Sequence, residues 1–427
     1  MVNSISEHSE TAKYIVEGER RLSGEVKTQG AKNSALPILA ATILTGDVCV
    51  IENCPRLSDI EAASDILRYL GCKVEMDGNV MTVDSRELTG CSIPDNLMRE
   101  MRSSIVFLGA IAARCKQARL SLPGGCELGP RPIDLHLTAL RKMGVEISEE
   151  YGFLNCKVKG RIHGSNINLS IPSVGATENI MIAGALADGI TVINNAAMEP
   201  EIVDLANFLS SCGADIRGAG ESRIIIEGRE RLHGASHRVM PDRIVAATYM
   251  AAAAVTQGDI TLINADPKSL GAVIPEFIEA GCKIEYNDDT IRIIADGRLR
   301  AFKNVRTMPY PGFPTDALAP LMALATVAKG NSMFVETIFE NRYRHVGELR
   351  RLGANIKVEG KIAVVEGVER LTGAAVRCTD LRGGAALVVA ALAAKGKSEI
   401  YEISHIERGY EDFDKVLSSL GGRVIRG

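Results

Sequence analysis

A chain of 427 residues is too long for one ordinary core and points to two domains of roughly 200 residues each. Hydrophobic residues make up 46% and charged residues 24%, the balance of a soluble globular protein, and the net charge of -4 excludes a general nucleic-acid surface. Any anion site must therefore be assembled locally. Ten cysteines form no CxxC pair and the seven histidines are scattered, which argues against zinc and for a reduced, cytoplasmic protein. Most of those cysteines read as small core residues. No signal-like segment precedes TAKYIVEG, and the polar stretch MVNSISEHSET reads as loose.

Two kinds of helix alternate along the chain. The first kind is short, alanine-rich and apolar on every face: SALPILAATIL, SIVFLGAIAARC, NIMIAGALADG, IVAATYMAAAAV, ALAPLMALATVA and AALVVAALAAK. At about a dozen residues these cannot span a bilayer, which needs about 20, so they must lie inside a core and no membrane partner is expected. Each is followed by a strand: DVCVIENC, ARLSLPGG, ITVINNA, ITLINAD, SMFVETIF and SEIYEIS. The second kind is amphipathic, as in SDIEAASDILRYL and EIVDLANFLSSC, and ends at a glycine before another alternating strand. The signature at that boundary recurs at Gly71, Gly144, Gly213, Gly281, Gly353 and Gly421. Six copies of one unit fill the chain, with helices inside and sheets outside, an inversion of the usual α/β layering. They divide most simply into two domains of three with a change near HRVMPDR, and a site between two such domains is the default expectation.

Polar groups fall just before each buried helix. Lys32 and Asn33 precede the first, Arg102 the second, Ser173 to Asn179 the third, Asp242 and Arg243 the fourth, Asp316 the fifth, and Asp380 with Arg382 the sixth. Helix N-termini present free N–H groups and a positive dipole end, so convergent N-termini with these cations form a face suited to phosphates. Arg131, Arg342 and Arg408 occupy matching addresses before the amphipathic helices of units two, five and six. Asp316, in YPGFPTDALAP, reads either as a helix N-cap, a role Thr315 could equally fill, or as an acid able to take a proton from a substrate hydroxyl. Cys126, in LPGGCELGPRP, lies in a glycine-rich loop five residues before Arg131 and reads either as a small loop residue or as an accessible thiol of lowered pKa. His136 reads as structural rather than as a catalytic partner for it.

The stretches GAKNSALPILAATIL, LPGGCELGPRPIDLH, PSVGATENIM, AMEPEIVDLANFL, YPGFPTDA, ETIFENRYRHV and IERGYEDFDKVL, in this order, resemble the UDP-N-acetylglucosamine enolpyruvyl transferases of bacterial cell-wall synthesis. The resemblance runs from about residue 15 to the end. It implies a two-domain inside-out α/β barrel, with 1–32 plus 241–427 as one domain and 33–240 as the other. The implied reaction moves the enolpyruvyl group of phosphoenolpyruvate to the 3'-hydroxyl of UDP-N-acetylglucosamine and releases phosphate, without metal or organic cofactor. Carried over by position, Cys126 is the general acid, able to form a covalent adduct, and Asp316 takes the hydroxyl proton. Lys32, Arg131 and Arg408 surround phosphoenolpyruvate, with Asn33 beside Lys32. Arg102, Arg131, Pro132, Ile133, Asp134, Leu135, Ser173, Val174, Gly175 and Ile338 line the nucleotide-sugar site, and Arg342 and Arg382 support the cationic set. Ile171 replaces a lysine that some members place near the nucleotide, and the loops at 128–130 and 317–320 depart from the family's usual versions. Two alternatives are the sister transferase acting on shikimate 3-phosphate, whose members lack the PGGC cysteine, and a silent UDP-sugar-binding paralogue. The exposed thiol beside Arg131 further predicts alkylation by the epoxide antibiotic fosfomycin.

Overall fold

A computed structural model describes residues 12–122 and 133–427. They form two compact units: unit one holds 12–29 and 241–427, unit two holds 30–122 and 133–240. The chain crosses between units at Gln29/Gly30 and again at Met240/Pro241. The first crossing lies three residues earlier than the expected division after residue 32. The reason is local: the Ala31 N–H donates to the Met240 carbonyl at 2.8 Å, and Ala31 already packs in the core of unit two. Lys32 thus belongs to unit two.

Six four-stranded sheets are present among the described residues, three in each unit. All share one pattern. An edge strand runs parallel to a central strand, and two antiparallel strands follow, as in Asn166–Asn168, Ile190–Asn194, Arg223–Glu227 and Asp215–Arg217. Central strands such as Val48–Glu52 and Asn331–Val335 bury alternate residues, the period of two expected when one sheet face covers a core. Unit one is closed by the start of the chain. Lys13–Glu17 pairs antiparallel between Lys397–Tyr401 and Arg423–Arg426, and Ser23–Lys27 supplies the parallel edge beside Asp259–Ile263. Unit two takes its own missing edge from Ser236–Arg238, parallel to Val48–Glu52.

Inside each unit lie three of the apolar helices. In unit one these are Arg243–Val255, Thr315–Ala325 and Leu381–Ala393, which pack on one another; the first is buried along its whole length. In unit two they are Lys32–Ala41, Phe107–Cys115 and Val174–Ala185. Alanine and glycine on all sides let the helices approach closely, and shortening a large core residue among them, such as Met322 or Leu387, costs about 2–5 kcal/mol. The expected helix over 104–115 opens instead as a 3₁₀ turn, Arg102–Val106, before the α-helix begins at Phe107. The six repeat glycines all have left-handed backbone, with φ between 88° and 110°, which is why only glycine ends each amphipathic helix there.

A second repeat follows the central strands. Asn53, Asn195 and Asn264 each adopt φ near 55° just past one, and each side-chain amide donates to the carbonyl at the end of the neighbouring parallel strand: Val239, Leu169 and Thr28. Asparagine tolerates the left-handed region and reaches a backbone acceptor from it.

Candidate active site

In unit one the N-terminal turns of the buried helices meet around Asp316. That residue is not the N-cap: the helix Thr315–Ala325 is preceded by Pro314, which makes no side-chain cap bond, and the Asp316 carboxylate turns to two arginines. Arg342 Nη2 donates to Oδ1 at 2.7 Å, and its Nε and Nη2 also bond the Thr315 carbonyl at 3.2 and 2.8 Å. Arg382 Nε donates to Oδ2 at 3.2 Å, with Nη2 at 3.1 Å from the same oxygen. Both guanidinium side chains are buried, whereas Asp316 keeps 27% of its side-chain exposure. The acid is oriented from inside and open on its other side. Asp316 is thus an acid held by arginines and not a capping acid.

The arginines are themselves held in place. Arg382 lies in the first turn of its helix, whose cap Asp380 accepts from the Arg382 and Gly383 N–H groups, and its guanidinium stacks 5.4 Å from the Tyr410 ring. Burial opposes the Arg382 charge, but Tyr410, Asp316 and Asp242 outweigh it and keep the group protonated. Among the described residues Arg382 Nη1 is buried without a hydrogen-bond partner, a donor that suits an incoming oxygen anion. His345 is fully buried, burial pushes its imidazole down to about 4, and Nδ1 donates to the Arg342 carbonyl at 3.1 Å, so a neutral ring steadies that turn. Arg243 follows its cap Asp242 and faces the Tyr310 ring at 5.7 Å. Arg408 ends the short helix Ser404–Glu407, and the Gln29 amide bonds on both sides of Tyr410, to the Gly409 carbonyl and from the Glu411 N–H. Ile338 is 41% exposed in the segment between the strand Asn331–Val335 and Arg342.

In unit two Lys32 opens its helix with no side-chain cap, buried, and Nζ lies 2.8 Å from the Asp59 carboxylate. Asn33 is exposed beside it. Pro37 within this helix and Pro320 within the Thr315 helix stand at the same address. Each lacks the N–H that would bond the carbonyl four residues back, that of Asn33 or Asp316. Ser34 donates to Asp204 Oδ2 at 2.5 Å; the same carboxylate accepts from the Met240 N–H at 3.0 Å and faces His237 Nε2 at 2.9 Å. Arg102 begins the 3₁₀ turn that packs beside the Lys32 helix. Asn179 anchors that turn, donating to the Ile105 carbonyl at 2.8 Å and accepting from the Gly109 N–H at 2.7 Å. It also bonds His136 Nδ1 at 2.8 Å; burial pushes this imidazole down to about 4, so His136 is structural, as expected. Ser173 caps its helix by accepting from the Ala176 N–H, and Val174 and Gly175 form the first turn. Ile133, Asp134 and Leu135 form the start of Asp134–Lys142, with Asp134 exposed. Ile171 is 61% exposed. Cys126, Arg131 and Pro132 lie outside the described residues.

Sequence reasoning missed Asp59, Asp204, Gln29 and Glu336, and named Asn179 only as one of a polar run. For Asp59 a signal existed, since it falls on the apolar stripe that carries Ala62, Ala63, Ile66 and Leu67, where a carboxylate needs a buried partner.

The family model described as EPSP synthase (3-phosphoshikimate 1-carboxyvinyltransferase) matches residues 16–417. UDP-N-acetylglucosamine 1-carboxyvinyltransferase 2 of Caldanaerobacter subterraneus subsp. tengcongensis is 52% identical over 97% of this chain and 99% of its own length. UDP-N-acetylglucosamine 1-carboxyvinyltransferase 1 of Carboxydothermus hydrogenoformans is 47% identical over 97% and 98%. Among solved structures, the enolpyruvyl transferase NikO from Streptomyces tendae superposes with a TM-score of 0.88 at 26% identity, covering 97% of this chain and 98% of that one. EPSP synthase from Acinetobacter baumannii reaches 0.74 at 18% identity over 97% and 99%, which shows the shared fold. The chain belongs to the enolpyruvyl transferases of the EPSP synthase family, within the group of UDP-N-acetylglucosamine 1-carboxyvinyltransferases.

Proposed function

We propose that this enzyme transfers the enolpyruvyl group of phosphoenolpyruvate to the 3'-hydroxyl of UDP-N-acetylglucosamine with release of phosphate. The observation that carries this reading is Asp316, clamped at both carboxylate oxygens by buried Arg342 and Arg382 yet open to solvent, in a chain 52% identical to a transferase of that name. Fixed acid and fixed cations are what an addition–elimination on a phosphorylated enol requires. Asp316 accepts the proton of the attacking hydroxyl, whose oxygen bonds to C2 of phosphoenolpyruvate, while the Cys126 thiol gives a proton to the C3 methylene. The tetrahedral adduct then loses a methyl proton and expels phosphate, restoring the enol ether. Lys32, Arg131 and Arg408 neutralise phosphate and carboxylate charge, with Arg382 Nη1 a further donor. Asn33, Arg102, Arg131 to Leu135, Ser173 to Gly175 and Ile338 hold the nucleotide sugar. Phosphate is already a competent leaving group, so proton transfer and charge stabilisation suffice without a cofactor. We place the reaction in the cytoplasm, at the start of cell-wall precursor synthesis. Among the described residues no helix is long and apolar enough to cross a membrane.

Phosphate release from phosphoenolpyruvate, measured with each acceptor, tests the reading. It is expected with UDP-N-acetylglucosamine and not with shikimate 3-phosphate, and the reverse result would overturn it. Fosfomycin is expected to add once to the intact protein by mass spectrometry and not at all to Cys126→Ser; an adduct on another cysteine would count against the role given to Cys126.

A further inference from the structure

Three repeats place asparagine just past the central strand, where its amide ties down the neighbouring strand. The repeat built on Asn331–Val335 has Glu336 at that address instead, 1% exposed. Its Oε1 accepts from Thr307 Oγ1 at 3.0 Å, the Ile338 N–H at 2.6 Å and the Phe339 N–H at 3.0 Å. Its Oε2 accepts from Thr315 Oγ1 at 2.8 Å. All four partners are donors, the complement of an acceptor-only carboxylate, and charge-assisted bonds of this kind are stronger than those of an amide. Thr307 follows the parallel strand Asn304–Arg306, the neighbour that the asparagines reach in their own repeats. Glu336 reaches that neighbour through the Thr307 hydroxyl and makes three further bonds.

We infer that Glu336 is a positioning residue that sets Asp316 and Ile338 together, one through each carboxylate oxygen. The inference rests on the roles proposed above for those two residues. The first turn of the Asp316 helix has no side-chain cap, and such turns fray unless their orphan groups are held. Here the turn is gripped from two sides: Arg342 bonds the Thr315 carbonyl and Glu336 bonds the Thr315 hydroxyl. Asp316 is the next residue, so its carboxylate inherits that placement. A displacement of about 1 Å at a reacting group lowers rate as much as ~100-fold. The other oxygen fixes the backbone at 338 and 339 and so the height of Ile338, without touching Asp316.

Steady-state phosphate release by the full-length protein separates the two arms. Thr315→Val removes only the Asp316 arm and is expected to lower kcat by about tenfold, with KM for UDP-N-acetylglucosamine unchanged within about twofold. Thr315→Ser keeps the hydroxyl and is expected to restore wild-type kcat. Glu336→Gln takes the charge off both arms and leaves one acceptor oxygen for two sets of donors, and is expected to lower kcat at least as far and to raise that KM about fivefold. Because Thr315 acts through Glu336, kcat of the double variant should match that of Glu336→Gln alone. The inference is overturned if Thr315→Val keeps wild-type kcat, if the two effects multiply in the double variant, or if kcat per folded molecule is unchanged while only melting temperature drops. Should Glu336→Gln fail to fold, the Thr315→Val and Thr315→Ser pair still decides the Asp316 arm. Wild-type protein that releases no phosphate with UDP-N-acetylglucosamine sinks the functional reading, whereas active wild type with an indifferent Thr315→Val sinks only the role of Glu336.

Discussion

Units one and two differ in whether their buried helices start with acids. In unit one every buried helix starts with an acid: Asp242 and Asp380 as caps and Asp316 in the first turn. In unit two no acid among the described residues stands at these ends: Lys32 and Arg102 open the first two and Ser173 caps the third. A helix N-terminus bears a positive partial charge, so acids there are stabilised where they stand, and the cations of unit one are drawn in by the acids. Lysine at the first position of a buried, uncapped helix is opposed by the dipole and held by Asp59. Unit one balances its buried arginines with an acid at a helix end, whereas unit two balances Lys32 with an acid from a different helix, Ser58–Tyr69. On the roles proposed above, the acid that takes the proton belongs to unit one, while Lys32 and Arg102 of unit two add cations for the anionic substrate.

The sharpest test of that division is Asp316→Ala. A general base contributes about 10²–10⁴ in rate, so kcat should fall by about a thousandfold while KM for UDP-N-acetylglucosamine changes only a few fold. Steady-state kinetics with both substrates check this, and loss of sugar binding with normal turnover would erase the contrast between the units. Asp59→Asn probes the other side. It leaves the Lys32 ammonium buried beside a neutral amide, and breaking such a pair from one side costs about 3 kcal/mol. The expected result is a lower melting temperature and a KM for phosphoenolpyruvate raised about tenfold, with kcat less affected. A variant that keeps wild-type KM would show that Lys32 needs no fixed partner.

How much of this could be read from the chain follows from how far each signal reaches. The buried helices, the glycine breaks and the polar residues before each helix are visible because they rest on composition and short spacing, as with Gly281 at φ 110° after Ile274–Ala280. The division of the six units also carried a local clue, but the crossing at Gln29/Gly30 depends on a bond from Ala31 to Met240, more than 200 residues away. Asn179 and Asp204 have partners 33 to 170 residues distant in sequence, and no local pattern encodes such contacts. Asp316 was ambiguous because a capping acid and a functional acid have the same one-dimensional signature; that Arg342 and Arg382, and not the helix end, hold its carboxylate is visible only in three dimensions. Glu336 was legible in part, because three of the six repeats place asparagine at its address, but Leu122 and Glu402 also depart from that pattern and only its buried donors single it out.

Glu178 gives the smallest effect and the one most specific to unit two. It lies on the Val174–Ala185 helix, 8% exposed, and burial first, then Glu201 and Glu199, pushes its carboxyl up to about 8 from 4.5. The native state therefore keeps a proton that the unfolded chain releases above 4.5. Its contribution to stability is fully present below pH 4.5 and is lost as pH rises through about 8. Glu178→Gln mimics the protonated form at every pH. It should raise stability at pH 8 by on the order of 2 kcal/mol and change little at pH 4.5, which thermal melts of wild type and variant at both pH values measure. Equal gains at the two pH values would mean that Glu178 is not the proton-holding acid. With His136 and His345 neutral at pH 7 in units two and one, that pH-dependent loss would then have to come from another buried group.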